Sequence, residues 1–296
     1  MDYFSICDGI GAAHSALLPL GYQCAGVSEV DRYCNELVKS KFNFENFGDF
    51  SRWQTWGSIN AGLVIGGTPC TAFSFIGRRR GTQDSAGKLT PGFIQFVGTH
   101  RPRWVLWENV PGVFTIDKGR LFRWMLNRLS QFGYNCAWRV LDSQYFGVAQ
   151  RRRRVFVVAN LGNGYSAAKV LFDGSTIPIP TPKSRGTNQE DLRTNEVDFG
   201  KDRYRGNNNV AGTLIASPGG GVERLGSIVL DNNRPRWLTL LERERLMGFP
   251  DGYTSGFSDS QRHRMLGNSM AVPIVRWIGQ RILTVDRNTM ELSRAG

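Results

Sequence analysis

Cysteine and histidine are scarce in this 296-residue chain: five cysteines, an odd number with no C-x-x-C pair, and three histidines. That scarcity argues against a disulfide framework and a structural zinc site, and it points to a reducing, cytoplasmic setting. Long apolar runs are missing too. No stretch approaches the ~20 residues that span a bilayer, and Met1-Asp2-Tyr3 lacks the basic start of a signal peptide. Acidic residues are in the minority, 25 against 37 basic ones, for a formal net charge of +12. Arginine outnumbers lysine 30 to 7, and arginine is the better residue for forked contacts with phosphates and guanine edges. Nucleic acid is therefore the expected partner, although a generally basic proteome would raise the charge as well.

What is present is a hydrophobic fraction of 41%, enough for one large α/β core. Residues 1–160 alternate strand-like and helix-like stretches. Strands are expected at 3–7, 23–27, 63–65, 103–107 and 154–159, and helices at 12–19, 32–41 and 121–132. Strands separated by helix-length crossovers predict a largely parallel sheet with helices on both faces. After about residue 161 the chain turns rich in Gly, Asn, Ser, Thr and Pro. The interleaved Arg203, Tyr204 and Arg205 suit backbone gripping and base stacking. Helical patterns return at 238–247 and 274–283.

Four strand ends carry residues suited to chemistry. Leu63-Val64-Ile65 leads into Gly66-Gly67-Thr68-Pro69-Cys70, which puts Cys70 on the loop leaving a buried strand. Ligands are handled at that end of an open α/β sheet, so a thiol beside glycines is a candidate nucleophile. A buried structural cysteine is the plainer alternative. Asp8-Gly9-Ile10-Gly11 joins a strand to a helix and lets a cofactor lie against the backbone, and Glu29-Val30-Asp31 offers a carboxylate for ribose hydroxyls. A tight turn with no ligand would read the same way. Glu108, in Trp107-Glu108-Asn109-Val110-Pro111, can hold a ring nitrogen or lend it a proton, unless it is a cap or a surface acid. Gln150-Arg151-Arg152-Arg153-Arg154 feeds an apolar strand. Alternation puts Arg152 and Arg154 on one face and Arg151 and Arg153 on the other, though a merely solvated basic run is the alternative.

In this order the motifs resemble those of the DNA cytosine-5 methyltransferases over nearly the whole chain. Phe4 through Gly11 with Glu29 is similar to the family's first two cofactor motifs, and Gly48-Asp49-Phe50 to its third. Pro69-Cys70 with Phe73, Ser74, Gly77, Gly81 and Asp84 resembles the catalytic motif. Glu108-Asn109-Val110 and Gln150-x-Arg152-x-Arg154 resemble the next ones. Arg236 through Pro250 is similar to the ninth motif, and Gly267-Asn268-Ser269 with Val272 to the last. Two departures stand out: Cys7 occupies a position that is usually aromatic, and Thr71 follows the cysteine where glutamine is common.

The resemblance implies a Rossmann-like α/β fold with a mostly parallel sheet and a small, loop-rich target recognition region. Residues 1–160 would form the catalytic and cofactor-binding domain and 161–254 the recognition region, with 255–296 completing the first. S-adenosylmethionine is the implied methyl donor, held by Phe4, Gly9, Ile10, Gly11, Glu29, Val30, Asp49 and Phe50, with Asn268 and Ser269 returning from the C-terminal end. Cys70 would attack carbon 6 of a flipped-out cytosine in double-stranded DNA. Glu108 would serve the ring's N3 and amine, and Arg152 would support the activated ring with Arg154 as organiser. Ser74, Arg78, Arg79, Arg80, Gln150, Arg203 and Arg205 are the expected DNA contacts, and no metal is implied. A monomer in a bacterial or viral-host cytoplasm, compatible with a separate restriction endonuclease, completes the expectation. Two rivals are a tRNA methyltransferase of the same fold, which usually carries Pro-Pro-Cys rather than Thr68-Pro69-Cys70, and a silent DNA-binding relative.

Overall fold

The computed structural model describes residues 1–69, 89–162, 164–173, 210–216, 228–231 and 234–295. The chain divides into two units. One comprises Met1–Leu141, Arg154–Asp173 and Val275–Gly296, and the other Asp142–Arg153 and Gly174–Ile274.

Six strands organise the first unit: β1 (Asp2–Ile6), β2 (Gln23–Ser28), β3 (Leu63–Gly66), β4 (Trp104–Asn109), β5 (Tyr134–Asp142) and β6 (Arg153–Leu161), in the spatial order β2-β1-β3-β4-β6-β5. The pairs β1–β2, β1–β3 and β3–β4 are parallel, while β6 runs antiparallel to β4. The central strands read as unbroken apolar runs because both of their faces are covered. On one face Phe4, Val64, Val105 and Val157 pack with Phe93, Phe96 and Val97 of α3 (Leu89–His100) and Leu121, Met125 and Leu129 of α4 (Arg120–Gln131). On the other, the Trp104 indole donates to Asp286 Oδ1 at 2.9 Å, which fastens the C-terminal helix to the sheet.

Local sequence sets the helix ends. Asp31 caps α2 (Arg32–Lys41) by accepting from the N–H groups of Tyr33 and Cys34. In the second unit the antiparallel pair β7 (Ile228–Asp231) and β8 (Arg234–Trp237) precedes α6 (Leu240–Met247) and α7 (Asp259–Asn268). The helix expected from residue 238 starts at Leu240 because Thr239 and Glu242 form a capping box there. The final helix, α8 (Val272–Ala295), outruns the expected 274–283. Helices α1 (Ala12–Leu17) and α5 (Ser166–Phe172) belong to the first unit. No helix among the described residues is long and apolar enough to cross a membrane.

β5, α3, α5 and α7 had no counterpart in the sequence reading. β5 is an edge strand whose Asn135, Trp138 and Arg139 break the inside–outside alternation.

Candidate active site

β2 and β3 lie on opposite sides of β1. The connections leaving β1 and β3 therefore diverge, and they open a crevice at the carboxyl edge of the sheet, where such folds bind ligands. Cys7 to Gly11 and Gly67 to Pro69 flank that point.

The first loop is held open by left-handed backbone at Cys7 (φ 55°), Gly9 (φ 61°) and Gly11 (φ 78°). Glu29, at the end of β2, accepts from the Gly9 N–H at 2.7 Å through one oxygen, and from Val30 and Asp31 N–H at 2.8 Å through the other. Burial raises its carboxyl above the ordinary range, against those three donors. The space beside Gly9 and Gly48 is open to at least 4 Å, and Val30 stands 67% exposed next to Glu29. An apolar side chain, a carboxylate and open backbone at one strand edge fit the ring, ribose and chain of a nucleoside-type cofactor. Asp49 is exposed at the same edge, with one oxygen capping Ser51 N–H at 2.9 Å.

Three residues expected at the cofactor have buried side chains. Phe4 and Ile10 are fully buried. Phe4 lies among the rings of Phe47, Trp56 and Phe96 at 5.4 to 6.0 Å. Phe50 is nearly enclosed as well, its ring against Trp56 and Phe96. These side chains support the loop from below.

A network absent from the sequence reading lies under that loop. Asp8 accepts from Ser5 Oγ at 2.6 Å and from His14 Nε2 at 2.9 Å, while His14 Nδ1 meets the Tyr3 hydroxyl at 2.5 Å. A lone histidine among the alanines at the start of a helix was the available signal. Burial alone would lower the His14 pKa, but the charge and hydrogen bond of Asp8 outweigh it and hold the imidazole up to about 9. Its ordinary value is near 6.5, so the folded chain keeps a proton there that the unfolded chain releases. That contribution is complete below about 6.5 and disappears as pH climbs through about 9. The expected result is a loss of about 3 kcal/mol between those limits. Chemical unfolding of wild type and His14→Gln across this range checks it, because the variant should lack this part of the decline.

At the ends of β3 and β4, Glu108 is buried and its Oε1 pairs with Arg154 Nε at 3.1 Å. The antiparallel register makes that pair. Glu108 sits opposite Phe156, so Arg154, two residues earlier on β6, is its same-face diagonal neighbour. Gly67 faces the carboxylate closely, since a Cβ there would stand 3.2 Å from Glu108 Oε2. Next to it Thr68 is tied down: its carbonyl accepts from Asn109 Nδ2 at 2.9 Å and its hydroxyl from Trp107 Nε1 at 3.0 Å. Cys70, Ser74, Arg78, Arg79, Arg80, Arg203 and Arg205 lie outside the described residues. Among the described cysteines, burial pushes the Cys7 and Cys136 thiols up to about 12. The carboxylates of Glu29, Asp8 and Asp49 add to the effect at Cys7. Neither is a thiolate nucleophile near neutral pH.

In the second unit, Arg152 is almost completely buried. It donates to the carbonyls of Leu214 (3.0 Å), Gly267 (3.1 Å) and Ser269 (2.7 Å). Its guanidinium, the group expected to support the activated ring, secures backbone at these three points. Gln150, expected at DNA, is fully buried too, accepting from Leu214 N–H at 3.0 Å and donating to the Leu246 carbonyl at 2.8 Å. Arg151 and Arg153 are exposed, as the alternation implied. Asn268, at the end of α7, is exposed and Ser269 is buried.

The same fold occurs in the solved structures of S. pombe Dnmt2 methyltransferase and of the Entamoeba histolytica methyltransferase EhMeth. The TM-scores are 0.69 and 0.63 at 18% and 15% identity. Each match covers 96% of this chain and 98% of the other. At such identities the likeness shows the fold alone, a Rossmann-like α/β sheet. Sequence narrows the class: the profile of C-5 cytosine-specific DNA methylases matches residues 1–213 and 183–284, and the chain belongs to that family. It is 29% identical to the type II methyltransferase M.DsaV of Dactylococcopsis salina, over 96% of this chain and 86% of that protein. It is also 29% identical to M.HpaII of Haemophilus parainfluenzae, over 95% and 88%. The activity of the family is cytosine-5 DNA methylation, and this chain is an enzyme of that kind.

Proposed function

We propose that the carboxyl edge of the first unit's sheet methylates carbon 5 of a cytosine everted from double-stranded DNA, with S-adenosylmethionine as donor. The pair that buried Glu108 makes with Arg154, beside the turn that leads to Cys70, carries this reading. Gly9, Gly11, Glu29, Val30 and Asp49 would hold the donor, which when bound supplies an electrophilic methyl group. The remaining chemistry belongs to the chain. Cytosine C5 is a weak nucleophile because its ring is electron-poor and aromatic. A Cys70 thiolate bonding to C6 breaks that conjugation and drives an electron pair toward N3 and O2, leaving C5 enamine-like. Glu108 provides the proton that N3 takes up, and Arg154 holds that carboxyl and offsets the charge gathering on the ring. Once C5 has been alkylated, its proton passes to a water or hydroxide, and the C6–S bond breaks with its electron pair returning to the Cys70 sulfur. N3 gives its proton back to Glu108, which restores the ring.

Inside a duplex neither ring face is accessible, so the base must leave the stack. That costs a few kcal/mol, offset by pocket and phosphate contacts. The basic segment around Arg78, Arg79 and Arg80, together with Arg203 and Arg205, is assigned to those phosphates. Bisulfite-type sequencing of DNA from cells expressing the chain should find cytosines protected in one sequence context. Purified enzyme should label duplex DNA and not tRNA. Unprotected DNA in every context, or labelling of tRNA alone, overturns the proposal.

A further inference from the structure

We infer that Thr68, Thr90 and Trp107 form a clasp that sets where the chain enters and leaves the segment carrying Cys70, making them positioning residues for the nucleophile. The inference rests on the reading of Cys70 given above. Thr68 is the second residue before Cys70, and Thr90 lies in the first turn of α3, on the far side of the same segment. Although 22 positions apart in sequence, their hydroxyl oxygens share a hydrogen bond of 2.7 Å. The Trp107 indole N–H donates to the same Thr68 oxygen at 3.0 Å, and all three residues are 2% exposed or less. Both polar ends of Thr68 are thus engaged, its side chain by Thr90 and Trp107 and its carbonyl by Asn109 at 2.9 Å. Trp107 and Asn109 are two apart on β4 and share one face, so a single strand edge grips the residue at two points.

Three apolar side chains would pack a sheet end equally well. The polar groups used here satisfy one another only when both flanks of the segment and the end of β4 occupy these places. Buried hydrogen bonds have a strong directional requirement, because a donor left without its acceptor is expensive. The arrangement therefore specifies position, and position is what an attacking sulfur needs, since misplacement by about 1 Å costs on the order of 100-fold in rate.

The test uses Thr68→Val, which keeps the shape and removes the hydroxyl, with Thr68→Ser as the conservative variant. Each full-length protein is given duplex DNA substituted throughout with 5-fluorocytosine, plus S-adenosylmethionine, and the rate of covalent adduct formation is followed. Methyl transfer to ordinary duplex DNA is measured alongside. Thr68→Val should slow adduct formation and turnover roughly 10- to 100-fold, with the dissociation constant for S-adenosylmethionine changed less than about twofold, because the Gly9–Glu29 loop is untouched. Thr68→Ser should restore most of the rate. Thr90→Val should slow the reaction in the same direction, and the double variant should fall short of the product of the two single effects. A wild-type adduct rate in Thr68→Val overturns the clasp and leaves the nucleophile assignment standing. So does a parallel loss of cofactor binding that Thr68→Ser fails to rescue. If Thr68→Val does not fold, Thr90→Val decides, and a wild-type rate there overturns the clasp. Absence of any adduct with the unaltered enzyme overturns the Cys70 reading and the clasp with it.

Discussion

Cys70→Ala should lower methyl transfer by roughly 10⁴-fold or more while leaving duplex DNA binding within a few-fold of wild type. Removing a nucleophile ends covalent catalysis, and neither Cys7 nor Cys136 is fit to replace it. Cys7 lies at the same sheet edge, but burial and the neighbouring carboxylates hold its thiol near 12. Cys136 is pushed equally high by burial. Alanine removes one sulfur and no cation, so phosphate contacts should persist. Radiolabelled methyl transfer and gel retardation on the same preparations check both halves. Turnover within tenfold of wild type would refute the nucleophile assignment.

Glu108→Gln should reduce turnover about 10²- to 10⁴-fold, the range expected when a positioned general acid is removed. Affinity for S-adenosylmethionine should hold, since Glu29 holds the Gly9–Glu29 loop through its own hydrogen bonds. The substitution also leaves the partly enclosed Arg154 facing a neutral amide, so the ring loses both its proton source and the alignment of its cation. Arg154→Lys should act in the same direction, because a point charge cannot reproduce the guanidinium's fixed geometry. Arg152→Lys should differ in kind. It abandons backbone carbonyls at Leu214, Gly267 and Ser269, so the loss should appear first in the unfolding midpoint. Steady-state kinetics and thermal unfolding on the three variants separate these outcomes. If Glu108→Gln weakened cofactor binding alone, the proton-handling role would be wrong.

Much of the first unit was legible from local pattern. The apolar runs at 63–65 and 154–159 lie within β3 and β6 as strands buried on both faces, and the amphipathic stretch 32–41 is α2 from end to end. β5 escaped because an edge strand with one wet side loses its period. α7 escaped because Gln261, Arg262, His263 and Arg264 crowd polar groups onto a short helix. Phe4, Ile10 and Phe50 show how place along the chain and packing differ. A motif gives a residue's place along the chain, and only packing decides whether its side chain turns toward ligand or core.

Order along the chain determined by itself the family, the strand ends bearing Glu29 and Glu108, and the glycines that open the first loop. Those follow from residue type, spacing and local backbone preference. Tertiary structure alone decided which arginine meets Glu108. Arg152 and Arg154 have the same parity in sequence, but the antiparallel register of β6 on β4 carries Arg154 to the carboxylate, while Arg152 is drawn onto three carbonyls in the second unit. The buried Asp8–His14 pair and the Thr68–Thr90 bond were likewise settled by folding, because each joins groups that become neighbours only when the sheet edge is assembled.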